Sequence, residues 1–396
     1  MSTWTDLESR YYMQVARRQP LVLVRGSGSR VWDENDKEYL DFTAGWAVNT
    51  LGHCHPALVE AVTEQARTLI QTSNQFFTVP QVKLAQLLVE NSCLDRVFFS
   101  NSGAEANEGA VKLARKYGKL NRNGAYQVIT ALNSFHGRTL TMAAATGQPH
   151  YQEQWQPLSP GFVNVPYDAI DAIREATTDE TCAVMVEPIQ GEGGVIVPSP
   201  DYLAQVREWC DRHNLVMILD EVQTGIGRLG TLFGYEQFGV EPDAITLAKG
   251  LGGGVPIGAF LAKEKFCVLA PGDHGSTYGG NVLTTAGAFG VVDHVIKNNV
   301  PAHAADMGRR LMDGLNGLMS RHAAIDQVRG MGLLVAVQFT GDISGQVVSM
   351  SNDEGLLLNP VRPNAIRIMP PLTLSAEEVD EGVAKLDRAI TRATAD

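Results

Sequence analysis

Short apolar runs punctuate the chain, and each ends in polar residues or glycine. The run at 97–99 precedes Ser100, Asn101, Ser102 and Gly103, and the run at 128–132 precedes Asn133, Ser134, Phe135, His136, Gly137 and Arg138. The run at 183–186 leads into Glu187 and Pro188, 215–219 into Asp220 and Glu221, and 244–248 into Lys249 and Gly250; a further run covers 257–262. None alternates with polar residues, which predicts strands buried on both faces, as in a mostly parallel sheet. Helical spacing fills several gaps. Leu203, Val206 and Cys210 share one face of 201–213, with Ser199 as N-cap and Pro200 at the first position. Ala106, Ala110, Leu113, Ala114 and Tyr117 do the same within 104–118. Helices on both faces of a parallel sheet make a doubly wound domain, whose ligands lie beyond the carboxyl ends of the strands. The polar residues after each run fall there.

The ends of the chain read differently. Apolar positions at 31–33 and 39–42 around the polar stretch 34–37 predict a hairpin. Toward the C-terminus come strands at 333–339 and 366–368 and a final helix from Ser375. The expected fold class is α/β: a large doubly wound, mostly parallel-sheet domain over 56–285, with a smaller α+β domain built from both termini, 1–55 and 286–396.

Composition narrows the function. In 396 residues, 44% hydrophobic and 19% charged, a folded chain is expected and disorder is not. The net charge of −12 and the lack of a concentrated cationic face argue against nucleic acid. Five cysteines, an odd number without a Cys-x-x-Cys, suit a reducing compartment. No apolar run approaches the roughly 20 residues of a membrane span, and the first residues lack the pattern of a signal peptide. A cytoplasmic location is expected.

Lys249 follows one buried run and precedes a glycine cluster at 250–254. A lysine desolvated at a strand end loses affinity for its proton, and the neutral amine can form a Schiff base; an exposed loop lysine fits the same position. Asp220 ends the most apolar run, where a carboxylate needs a cation or donors. It either caps the next turn or meets a protonated ring nitrogen. Adjacent strand residues face opposite ways, so only one of Asp220 and Glu221 should face a site. Ser102, Gly103 and Ala104 lie between a strand and a helix N-terminus, a place that favours phosphate. Phe135 can stack on a flat ring, and Arg138 can grip a carboxylate with two hydrogen bonds. His53, Cys54 and His55 are too close together to surround one ion, and no distant pair completes a metal set.

Together these segments resemble the class III pyridoxal-phosphate aminotransferases, in the acetylornithine/ornithine branch. The resemblance runs through DFTAGWAVNTLGHCHP (41–56), FFSNSGAEANEGAVKLAR (98–115), SFHGRT (134–139), VEPIQGEGG (186–194), ILDEVQTGIGRLG (218–230), LAKGLGGGVPIGA (247–259), GSTYGGN (275–281) and IRIMPPL (366–372). It implies that Lys249 carries the cofactor as a Schiff base and shuttles the proton, and that Asp220 keeps the pyridine nitrogen protonated. Val222 and Phe135 would sandwich the ring, Gln223 would bond its hydroxyl, and Ser102, Gly103 and Ala104 would hold the phosphate. Thr277 would reach the phosphate of a neighbouring subunit, which makes a homodimer the functional unit. Arg138 and Arg367 would clamp carboxylates, with Glu192 as the gate over Arg367.

The implied reaction moves the ω-amino group of N-acetylornithine or succinylornithine to 2-oxoglutarate by ping-pong chemistry. A 4-aminobutyrate or other ω-amino-acid transaminase is the nearest alternative, an aminomutase or decarboxylase of the same fold a further one. Trp46 stands where the acetylornithine branch more often has a small aliphatic residue and would narrow the pocket. Gly45 replaces the tyrosine usual in ornithine 5-aminotransferases, which argues against free ornithine. Val282 replaces a common proline, a change of packing alone.

Overall fold

A computed structural model describes residues 3–395. At its centre lies a seven-stranded sheet. The order across it is Arg96–Ser100, Gly258–Ala262, Ala244–Leu247, Val216–Asp220, Thr181–Val186, Gln127–Ala131 and Phe162–Val165. Period-two alternation splits each inner strand between two cores. On Val216–Asp220, Val216 and Ile218 join Ala110, Leu113, Ala114 and Tyr117 of helix Gly103–Asn121. Met217 and Leu219 join Leu203, Val206 and Cys210 of helix Tyr202–His213 on the other face. Continuous apolar sequence and a doubly wound sheet are thus the same fact seen twice.

Three local expectations need correction. Strand Gly258–Ala262 is antiparallel to both neighbours, whereas the remaining strands of the sheet are parallel to each other. Its connection from Leu247 is too short for a parallel crossover. Phe162–Val165 is an edge strand with no apolar run to announce it; Asn164 Nδ2 donates to Thr130 Oγ1 at 2.6 Å. The helix expected to start after Ser199 starts at Tyr202 with Asp201 at its cap. The Ser199 amide and hydroxyl are both spent on Asp168 Oδ1.

The expected hairpin joins Arg30–Asp33 to Glu38–Asp41, with Val31 opposite Tyr39. Asp33 Oδ1 accepts from the amides of Asn35 and Lys37 at 2.8 and 3.0 Å and so shapes the turn. Leu356 and Leu357 add a parallel strand beside Leu40 and Asp41, which brings both ends of the chain into one sheet. A further four-stranded sheet has the order Ile325–Met331, Leu334–Phe339, Ala365–Ile368, Asn359–Arg362. Helix Ala376–Thr394 closes the fold, started by a capping box of Ser375 and Glu378. The expected boundary at 285 falls within helix Val282–Lys297, where Val282 is the buried first residue.

Candidate active site

Carboxyl ends of the central strands converge on a cavity of about 460 Å³, within the usual size for a small-molecule site. Asp220 lies on its wall at the end of a fully buried strand. Its Oδ2 lies 2.8 Å from His136 Nδ1 and accepts from Asn107 Nδ2 at 2.8 Å, while Oδ1 accepts from the Val222 amide at 3.0 Å. Burial alone would raise the Asp220 pKa, but these bonds, led by His136, hold it below its ordinary value. Glu221 turns the other way and accepts from the amides of Gly234 and Tyr235. Burial pushes its pKa up to about 8.

Lys249 sits just past strand Ala244–Leu247 with a φ of 41°. That strained turn holds the side chain at the cavity wall. Burial pulls its pKa below the ordinary value, against the opposing pull of Glu192. Ser102, Gly103 and Ala104 line the same cavity at the N-terminus of the 19-residue helix Gly103–Asn121. A side chain at Gly103 would come within 2.9 Å of Val222 Cγ1, so only glycine leaves these amides open. Ser102 caps the helix, accepting from the Glu105 amide at 3.3 Å.

Opposite them, Glu192 Oε1 lies 2.7 Å from Arg367 Nη1. Arg367 also donates to Gln223 Oε1 at 3.0 Å and Asn359 Oδ1 at 2.9 Å, and its Nε is buried without a partner among the described residues. Arg367 itself is not on the cavity wall, whereas Glu192 and Gln223 are. Burial raises the Glu192 pKa, yet Arg367 brings it below the ordinary value. Phe135 and Arg138 line another wall; the Arg138 guanidinium is exposed and stacks 4.7 Å over the Tyr151 ring.

Two expected residues stand apart from this cavity. Trp46 is 58% exposed, on a run from Ala44 to Ala47 with positive φ throughout, and Val48 takes the wall position. Thr277 is exposed, off the cavity, in a segment bound by Asn74 Nδ2 to Ser276 O and Gly279 O, both at 3.0 Å. The stretch beside Asn74 presents Phe76 and the fully exposed Phe77. His53 and His55 serve separate ends: His53 Nε2 lies 2.8 Å from Asp41 Oδ2, and His55 caps helix Pro56–Thr68.

Sequence reasoning passed over His136, Asn107 and Glu187, all on the cavity wall. Glu187 Oε2 accepts from the Phe135 amide at 3.2 Å and Oε1 from the Gly191 amide at 3.1 Å, tying two wall loops together. Burial pushes its pKa up to about 7. The available signal was position: Glu187 follows a fully buried strand directly, as Asp220 ends one.

The profile of the family described as aminotransferase class-III matches residues 11–390. The chain is 50% identical over 385 residues to an acetylornithine aminotransferase of Caldanaerobacter subterraneus subsp. tengcongensis, covering 97% of this chain and 98% of the relative. It is similar in structure to ornithine aminotransferase from Toxoplasma gondii ME49, with a TM-score of 0.95 and 35% identity over 98% of this chain and 94% of that one. Acetylornithine aminotransferase from Elizabethkingia anophelis gives a TM-score of 0.88 at 35% identity, covering 98% of each chain.

Proposed function

The chain belongs to the class-III aminotransferases, and from that membership we propose that it moves the ω-amino group of N-acetylornithine, or of its succinyl analogue, to 2-oxoglutarate, giving a semialdehyde and glutamate. The enzyme is a transaminase that uses pyridoxal 5′-phosphate. When bound, that cofactor supplies a carbonyl to take up the amino group and a ring to accept electrons.

The chain's own groups fit it. Asp220 Oδ1 accepts only the Val222 amide among the described residues, which leaves room for a protonated ring nitrogen. The amides at 102–104 and the helix dipole behind them suit a phosphate. Phe135 and Val222 would enclose the ring, and Gln223 would take its hydroxyl. Lys249 would hold the cofactor, and its Nζ, as a neutral amine, would then carry the proton taken from the donor's ω-carbon.

One observation carries the choice of substrates: the Glu192–Arg367 pair. A donor with one free carboxylate uses Arg138 and leaves the pair intact. 2-Oxoglutarate brings two carboxylates and takes both arginines, with Glu192 swung aside. Either way no cation is left buried and unpaired, which would be costly. Gly45, and the name of the relative at 50% identity, support N-acetylornithine over free ornithine.

The functional unit is a homodimer in which Thr277 reaches the neighbouring subunit's cofactor. Support comes from the exposed apolar side chains of Phe76, Phe77, Val79 and Val82, close in sequence to Asn74, which binds the Thr277 segment; exposed apolar surface of this kind suits a protein partner. Free cysteines fit a cytoplasmic location.

The test is the absorption spectrum of the holoenzyme after addition of N-acetylornithine without keto acid. Conversion to the aminated cofactor, reversed by 2-oxoglutarate, is expected. A spectrum that N-acetylornithine leaves untouched and 4-aminobutyrate converts would move the donor.

A further inference from the structure

A cross-strand row in the second four-stranded sheet faces the loop that carries Glu192. Arg329 pairs with Ala336, Ala336 with Arg367, and Arg367 with Asn359. Directly opposed residues of antiparallel strands share a face, so Arg329, Arg367 and Asn359 point the same way. Arg367 holds the Glu192 carboxylate and Asn359 orients Arg367. Arg329, at the far end of the row, binds the backbone of the same loop. Its Nη2 donates to Gly194 O at 2.7 Å, and its Nε to Gly194 O at 3.0 Å and Val195 O at 3.1 Å. Arg362 adds a bond from Nε to Gly193 O at 3.2 Å. Three successive carbonyls just past Glu192 are therefore pinned by two arginines of one sheet.

The loop needs such a pin. Its base is closed by reciprocal backbone bonds between Gln190 and Ile196, at 3.1 and 3.0 Å. Above that base Gly191, Gly193 and Gly194 offer no side chain of their own to hold the backbone. Gly194 has a φ of 112° and Val195 one of 55°. A β-branched residue in the left-handed region is strained and persists only where its surroundings hold it. The remaining Arg329 nitrogen, Nη1, bonds to the amide oxygens of Gln327 and Gln338, both at 2.8 Å. All hydrogen bonds found for this guanidinium thus end on neutral oxygens.

We infer that Arg329, assisted by Arg362, is a positioning residue that holds Glu192 against Arg367 in the resting pocket. It thereby sets the choice between a donor that leaves the pair intact and a dicarboxylate that must open it. This rests on the reading of Glu192 as a gate given above.

The test is Arg329→Gln in the full-length holoenzyme. Single-turnover rates with N-acetylornithine and with glutamate give a specificity ratio for the two amino donors. The ratio is expected to fall about tenfold, chiefly through faster reaction of glutamate, the size expected from loss of one charged hydrogen-bonding group. Glutarate, a dicarboxylate without a reactive carbonyl, is expected to bind more tightly by titration calorimetry. Arg329→Lys keeps a cation and should restore part of the ratio. In a Glu192→Gln background Arg329→Gln should change nothing further, because no gate remains to be positioned. An unchanged ratio in Arg329→Gln, where Glu192→Gln alone shifts it, overturns this inference and spares the gate. Equal shifts in both backgrounds overturn it too, since Arg329 would then act on the fold at large. Failure of Glu192→Gln to move the ratio overturns the gate and this inference together. If Arg329→Gln does not fold, Arg362→Gln is measured in the same way: a smaller fall supports the inference, and none overturns it.

Discussion

His136 Nδ1 lies 2.8 Å from Asp220 Oδ2, with both side chains shut away from solvent. Burial alone would pull the His136 pKa down, but the bond to Asp220 raises it above its ordinary value. The imidazole thereby orients the carboxylate on the cavity wall. His136→Leu should lower kcat at least tenfold, since a hydrogen bond to a charged group is worth roughly 1.5–3 kcal/mol and about 1.4 kcal/mol is a factor of ten. An unchanged kcat would show that Asn107 and the Val222 amide suffice to orient Asp220.

Lys249→Ala should abolish turnover and leave the fold intact. The side chain lies in the cavity, with no hydrogen bond or ion pair found for its Nζ among the described residues, so its loss removes no structural tie. Burial already disfavours its charge. Circular dichroism and thermal melting check the fold while the transamination assay checks the chemistry. Residual turnover near the wild-type rate would remove Lys249 from the mechanism.

Much of this site was readable because a charged residue at the end of an unbroken apolar run demands a reason. Asp220 and Lys249 are both of that kind. Strand direction was not readable from the runs, because 257–262 is buried on both faces whichever way it points. Only the short link from Leu247, which holds no crossover helix, carries that information. Trp46 stands off the cavity, and its place was not readable because sequence position beside a wall residue says nothing about side-chain direction; the run from Ala44 to Ala47 has positive φ throughout and leaves the side chain largely exposed. Arg329 was hidden for a further reason: its role depends on a cross-strand row, and register is invisible in a single strand.

Arg138 is exposed on the cavity wall, bonded to the Tyr151 hydroxyl at 3.4 Å and stacked on its ring. No carboxylate is paired with it among the described residues, so it is free to receive one from a substrate. Arg138→Ala should raise KM for 2-oxoglutarate at least tenfold, on the scale of roughly 1.5–3 kcal/mol for a charged hydrogen bond. Tyr151→Phe should do much less, because it keeps the stacking surface. An unchanged KM in Arg138→Ala would assign carboxylate recognition elsewhere.

Glu221 makes folding stability fall with rising pH. Burial takes its pKa from an ordinary 4.5 to about 8. Between these values the folded chain binds a proton that the unfolded chain has released, so stability is fully present below 4.5 and is lost as pH rises through 8. From pH 6 to pH 9 the loss is on the order of 2–3 kcal/mol for this group. Glu187, pushed up to about 7, adds in the same direction. Glu221→Gln, which resembles the neutral acid, should flatten the fall by the share that belongs to Glu221. Denaturant melts of both proteins at pH 6 and pH 9 measure it. Parallel pH profiles for the two would mean that Glu221 is ionised in the fold across this range, held so by the amides of Gly234 and Tyr235.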